Sequence, residues 1–223
     1  MNRSLIENSC LELKNNMDLN FPKYEEFHTK VVFYRIPKNA GTSICDHLSH
    51  VNLLNFHKRD LREKFKNPTY IKPDEFKNSL VGDNLRNYFS FCVVRNPWDR
   101  VVSAYFSGSK DNSFSDFCKK GAKNYFGIGK QIDWTVGKYP PSQILHFENL
   151  RYEFSEMIKK HRILNVYFDL PCKNKTEHKH YSEYYDSETE SIVADVFKED
   201  IDLFNYSFKQ EIIVEDCNNN III

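Results

Sequence analysis

VVFYRIPKNAGTSIC, residues 31–45, is the stretch from which the fold is read. Val31, Val32, Phe33 and Ile36 form an apolar run rich in β-branched and aromatic residues, the composition of a buried strand, and Pro37 ends it. Gly41 permits a tight turn, and Thr42 and Ser43 open a helical pattern. The expected unit is a strand, a short loop and a helix N-terminus. Free backbone N–H groups at such a terminus, with the helix dipole behind them, attract anions. The loop Pro37, Lys38, Asn39, Ala40, Gly41, Thr42 and Ser43 adds one ammonium and two hydroxyls, which suits a phosphate-like group. The competing reading is an ordinary strand-to-helix turn with a surface lysine. A Walker A loop is excluded, because that motif places Lys immediately before Ser/Thr, whereas Lys38 opens this loop and approaches an anion from the strand side.

A second stretch, FSFCVVRNPWDRVVSAYF at 89–106, repeats the arrangement. Phe89, Phe91, Cys92, Val93 and Val94 read as a buried strand, Arg95 stands at its end, Asn96 suits an N-cap and Pro97 the first helical position. Arg95 lies just outside the helix that carries Ser103. Its long side chain can fold back so that guanidinium and hydroxyl converge on one anion. Asp99 and Arg100 read as an ion pair bracing the helix start, and Trp98 either packs beneath the helix or lines a pocket. Two strand-to-helix anion sites on neighbouring parallel strands would open at the same carboxyl edge of a sheet. That pairing suits a nucleotide with two separated phosphates.

The wider chain sets bounds. Its 223 residues suit one α/β domain, and its 31 basic and 31 acidic residues cancel, so no global field draws it to nucleic acid or to an anionic membrane. Six scattered cysteines without a C-x-x-C pair read as buried thiols of a reducing compartment. No secretory signal opens the sequence and no apolar run approaches the roughly 18–20 residues of a membrane span, which gives a cytoplasmic expectation. The expected organisation is a polar lead-in over 1–28, a single domain over 29–210 and a frayed tail over 211–223 ending in NNNIII.

PKNAGTS closely resembles the PK-x-G-G/A-T-S loop of sulfotransferases that use 3'-phosphoadenosine 5'-phosphosulfate (PAPS), where it grips the 5'-phosphosulfate. VRNPWDRVVSAYF is similar to that family's 3'-phosphate motif, R-[ND]-P-[WYF]-x-R-x-x-S, at every fixed position. HFENL at 146–150 resembles the family's F-E-N-L signature. PCKNKTEHKHYSEYYD at 171–186 resembles its P-x-x-N-K-[ST]…Y-x-x-Y-Y-[DS] segment, and DIDLFNYSF resembles its usual ending. The resemblance, to the carbohydrate (Golgi-type) branch, implies a P-loop-like three-layer α/β sandwich with a central, mostly parallel sheet of four to five strands. It also implies sulfuryl transfer from PAPS to an acceptor hydroxyl, on a glycan or another hydroxyl compound, leaving adenosine 3',5'-bisphosphate. Lys38 would neutralise charge on the leaving phosphate, while Thr42, Ser43 and the loop N–H groups would hold the 5'-phosphate. Arg95 and Ser103 would hold the 3'-phosphate, with Lys173 and Lys175 either adding contacts or simply solvated. The branch often carries a histidine base between the two phosphate motifs. His57, in NFHKRDLREKF, stands there, with Asp60 or Glu63 as the reserve.

No metal is expected, since the transferring group carries less charge than a γ-phosphoryl group and no Walker B-like carboxylate ends a strand. His178 and His180 lack a neighbouring ligand cluster. Residues 107–141 show no dominant period and are expected to recognise the acceptor, with Phe126, Trp134 and Tyr139 either stacking on sugar faces or filling core. Beyond them come a third strand ending in a turn over 142–150, a helix over 151–161, a strand over 166–170, and a final helix from Ser187 with a Ser187/Glu190 capping box. Glu148 reads as structural. Two rival classes remain. A P-loop-type nucleotide kinase needs the Walker lysine and a magnesium carboxylate, and a non-catalytic nucleotide-binding module would keep Arg95 and Ser103 while dispensing with Lys38 or a base.

Overall fold

The six residues of strand β2, Phe89–Val94, are all buried, which requires cover on both faces and a strand on either side. A computed structural model supplies both. It describes residues 31–48, 89–108, 113–137, 139–163, 170, 179–209, 214–215 and 221–222. β1, Val31–Tyr34, and β3, Gln143–His146, flank β2, and both pairings are parallel. The register runs from Val31↔Phe89 to Tyr34↔Cys92 on one side and from Phe91↔Gln143 to Val94↔His146 on the other. All three strands therefore release their chains at one edge.

Period-2 alternation sorts the side chains. Val31, Phe89, Phe91, Val93 and Leu145 face a core shared with helix α1, Gly41–Leu48, through Ile44 and Leu48. Other residues of that core come from a helix after β3. Val32, Tyr34, Cys92 and Val94 face the opposite core, with Trp134, Tyr139 and Tyr206. A third cluster gathers behind helix α2, Pro97–Ser107, where Trp98, Val101 and Val102 meet Phe126, Val193 and Phe197. The three-layer α/β expectation holds. Three parallel strands stand among the described residues; the strand expected over 166–170 lies outside them except for Leu170.

The described residues 113–137 hold short helices that their irregular composition does not announce. Helix α3, Phe114–Gly121, is capped by Ser113, a 3-10 segment follows at Ala122–Gly127, and a short helix α4 spans Ile132–Thr135. Helix α5, Leu150–Lys160, matches the helix expected there and packs Phe154, Met157 and Ile158 on the first core. Among the described residues of 211–223, β4, Val214–Glu215, pairs antiparallel with β5, Ile221–Ile222. Of the cysteines expected to be buried thiols, Cys92 and Cys118 are buried, and burial raises the pKa of both, whereas Cys45 is only half-buried. Among the described residues no helix is long and apolar enough to cross a membrane.

Helix α6, Ser187–Val196, starts as expected but with a different cap. Asp186 Oδ1 accepts from the Thr189 N–H at 2.8 Å, and Thr189 Oγ1 accepts from the Asp186 N–H at 3.0 Å. The box is Asp186/Thr189 because Ser187 is already helical, so its hydroxyl cannot serve the first turn from outside. Helix α7, Lys198–Phe204, follows and ends on a left-handed Asn205. Asp186→Ala should lower the urea midpoint of unfolding, whereas Ser187→Ala should leave it in place. The reverse ranking would restore the Ser187 cap.

Candidate active site

The loop after β1 has an unusual backbone. Lys38 and Ala40 adopt φ of 69° and 57°, while Asn39 between them is not left-handed. Alternation of hand along a loop is the backbone pattern in which successive N–H groups can turn toward one side. Left-handed conformation costs an L-residue about 1–2 kcal/mol, so something must hold the loop in place. Asn39, fully buried, does so: its Nδ2 donates to the Val93 carbonyl at 2.6 Å and to Gln131 Oε1 at 2.7 Å. Gly41 then opens α1, where an added Cβ would stand 2.6 Å from Arg35 Nε and 2.7 Å from its Cγ. Arg35 crosses this point and donates from Nη2 to Thr42 Oγ1 at 3.0 Å. The first turn of α1 carries no acidic residue, so nothing in it repels an anion. Thr42 is exposed and Ser43 buried.

Arg95 leaves the end of β2 and joins the two loops. Its Nη1 donates to the Lys38 carbonyl at 2.9 Å, its Nε donates to Asp99 Oδ2 at 2.8 Å, and its guanidinium lies 4.0 Å from the centre of the Phe147 ring. Lys38 thus sits beside a second cation. Burial first, and then the Arg95 charge, lower its pKa. Among the described residues no carboxylate pairs with the Lys38 ammonium. Ser103 is partly buried two turns along α2. The structure thus brings Arg95 to Lys38 and Asp99, and records no contact between Arg95 and Ser103.

The expected Asp99–Arg100 pair does not form, because successive helical residues do not face each other. Asp99 pairs with Arg95, one helical turn back, and Arg100 turns the other way. Arg100 is fully buried. It donates to the carbonyls of Pro37 at 3.0 Å, Gly129 at 2.8 Å and Ile128 at 2.8 Å, and its Nη1 stands 4.0 Å from Asp200 Oδ2. Burial lowers its pKa to about 9 against the opposing pull of Asp200, which leaves it a cation at neutral pH. Asp200, itself buried, accepts from the N–H groups of Gln131 and Ile132.

Asn96 caps α2 as expected, accepting from the Trp98 N–H at 3.1 Å, with Pro97 in the first helical position. Glu148 has the structural role read for it, accepting from the Asn96 N–H at 2.6 Å and from the Tyr206 hydroxyl at 3.2 Å. Burial raises its pKa. Trp98, Phe126, Trp134 and Tyr139 all lie in the cores, which favours filling over sugar stacking for the last three. A cleft of about 350 Å³ between β3 and α7, lined by Ile144, His146, Leu203 and Asn205 among others, includes none of the loop residues. His57, Asp60, Glu63, Lys173 and Lys175 lie outside the described residues. The residues that sequence reasoning missed, Gln131, Asp200 and Phe147, belong to none of the quoted phosphate motifs as ligands. The one signal available was the aromatic beside Glu148 in HFENL.

A family model described as "Sulfotransferase family" matches residues 23–158, more than half of the 223-residue chain. Among solved structures, the chain is similar to a crystal structure of a sulfotransferase from Alicyclobacillus acidocaldarius, at 12% sequence identity and a TM-score of 0.36, over 80% of this chain and 87% of that one. No curated protein matches.

Arg100 holds the first loop from beneath through Pro37. Arg100→Met should cost about 3–5 kcal/mol in urea unfolding, because it takes the donor from three carbonyls and the countercharge from the buried Asp200. A loss below about 1 kcal/mol, the range of an exposed pair, would show that the network carries no weight.

Proposed function

The chain belongs to the sulfotransferase family, and from that premise we propose that it transfers a sulfuryl group from PAPS to an acceptor hydroxyl, on a carbohydrate, in a cytoplasmic setting. The supporting observation is the bridge from Arg95 to the Lys38 carbonyl at the edge where β1 and β2 end, close enough for the Arg95 charge to act on the Lys38 ammonium. Such a pair is unfavourable alone and favourable around an anion. The carbohydrate acceptor rests on the sequence resemblance to that branch.

In this reading the N–H groups at the start of α1, with Thr42 and Ser43, hold the 5'-phosphate. Arg95 turns its remaining N–H groups, with the Ser103 hydroxyl, to the 3'-phosphate, while Asp99 and Phe147 fix the plane of the guanidinium. Lys173 and Lys175 add positive charge there. His57 takes the acceptor proton as the acceptor oxygen bonds to sulfur and the bond from sulfur to the phosphate oxygen breaks. Lys38 donates to that leaving oxygen as its charge grows. Its lowered pKa eases donation of the proton it carries.

The test is calorimetric binding of adenosine 3',5'-bisphosphate, AMP and ATP to the wild type and to Arg95→Ala. The bisphosphate should bind at least about tenfold tighter than AMP, and Arg95→Ala should remove that advantage, since a charge-assisted hydrogen bond contributes about 1.5–3 kcal/mol. An anion beside Lys38 raises its lowered pKa again. Binding should therefore take up protons, and weaken, as pH rises through the range where the free protein's Lys38 loses its charge. Equal or tighter binding of ATP would overturn the reading in favour of a kinase.

A further inference from the structure

Gln131 belongs to no motif, yet it is fully buried and its amide grips both anion loops. Its Oε1 accepts from the Arg95 N–H at 2.8 Å and its Nε2 donates to the Arg95 carbonyl at 2.9 Å. A neighbouring strand would offer such a donor and acceptor to an extended residue, and here one side chain supplies both just after β2 has ended. The same Oε1 accepts from Asn39 Nδ2, which also reaches Val93. One amide thus fixes residue 95 of the second loop and residue 39 of the first. Gln131 is itself fixed by its N–H bond of 2.8 Å to Asp200 Oδ2.

This bonding leaves one acceptor unmet. Only Nε2 of Gln131 can serve the Arg95 carbonyl, so Oε1 must face Asn39, and Asn39 must answer with Nδ2. Asn39 Oδ1, buried, then has no hydrogen-bond partner among the described residues. One side chain thus couples the end of β2 to the loop after β1.

We propose that Gln131 is a positioning residue that sets the separation of the two phosphate sites, and so selects a nucleotide bearing both 5'- and 3'-phosphates over one bearing either alone. The proposal rests on the PAPS reading above. Gln131 bonds the main chain of Arg95 and the side chain of Asn39, and both of its amide atoms are taken up there rather than by a phosphate. Each loop alone keeps its own donors when Gln131 is changed, and only their spacing relaxes.

The experiment titrates the full chain with adenosine 3',5'-bisphosphate, 5'-AMP and 3'-AMP. Gln131→Met keeps length without the amide, and Gln131→Asn, run in parallel in case the first does not fold, keeps the amide but is too short for both bonds. Either variant should lose about tenfold in bisphosphate affinity while each monophosphate changes by less than about twofold, a loss of coupling between sites. Equal losses for all three ligands, or an unchanged bisphosphate-to-monophosphate ratio, would reduce Gln131 to a structural residue. A wild type without preference for the bisphosphate would sink the PAPS reading itself, and this proposal with it. The wild-type arm keeps the two failures apart.

Discussion

The 2.9 Å hydrogen bond from Arg95 to the Lys38 carbonyl joins the two loops that leave the sheet, and most of the buried polar structure serves to hold those loops. Beyond the ends of β1 and β2 no ladder satisfies the backbone, and two left-handed residues add strain. Side chains take over. Asn39 and Gln131 serve the end of β2, Arg100 serves Pro37 and the 128–129 carbonyls, and Asp200 holds Gln131 and Ile132. Asn39, Arg95, Arg100, Gln131 and Asp200 are all buried, and each bonds to main chain. Buried polar networks of this kind fix geometry more than they add stability.

The electrostatics follow from that geometry. Arg100 sits within reach of a carboxylate and below three carbonyls, so its charge is absorbed inside the fold. Arg95 has Asp99 on one side. Lys38 has the Arg95 charge and partial burial, both of which disfavour its own charge. A bound anion would relieve this repulsion between Lys38 and Arg95.

How much of this was legible depends on how far apart in sequence the interacting groups lie. β1, β2, the start of α2 and its Asn96 cap were readable, because an apolar run, a proline and a capping residue act within one turn or strand. The Asp186/Thr189 cap was misplaced by one residue, the usual margin where several capping residues stand in a row. The partners of Arg95 and Arg100 were not legible. Proximity in sequence suggested an Asp99–Arg100 pair, whereas Asp99 turns to Arg95 and Arg100 to a carboxylate one hundred residues away. Gln131 carries no signal at all, since a glutamine in GIGKQIDW gains meaning only when the fold sets it beside Arg95 and Asn39. The aromatics of 107–141 had looked available because their stretch lacks a period, but burial beneath short helices needs none.

The central claim is that two loops held at a fixed separation receive the two phosphates of one nucleotide. A crystal structure of the protein with adenosine 3',5'-bisphosphate tests it most directly. The account predicts the 5'-phosphate on the N–H groups of Gly41 and Thr42, and the 3'-phosphate on Arg95 and Ser103, with the Arg95 bond to the Lys38 carbonyl intact. A nucleotide with only one phosphate on these loops, or one lodged in the cleft beside His146, would contradict it.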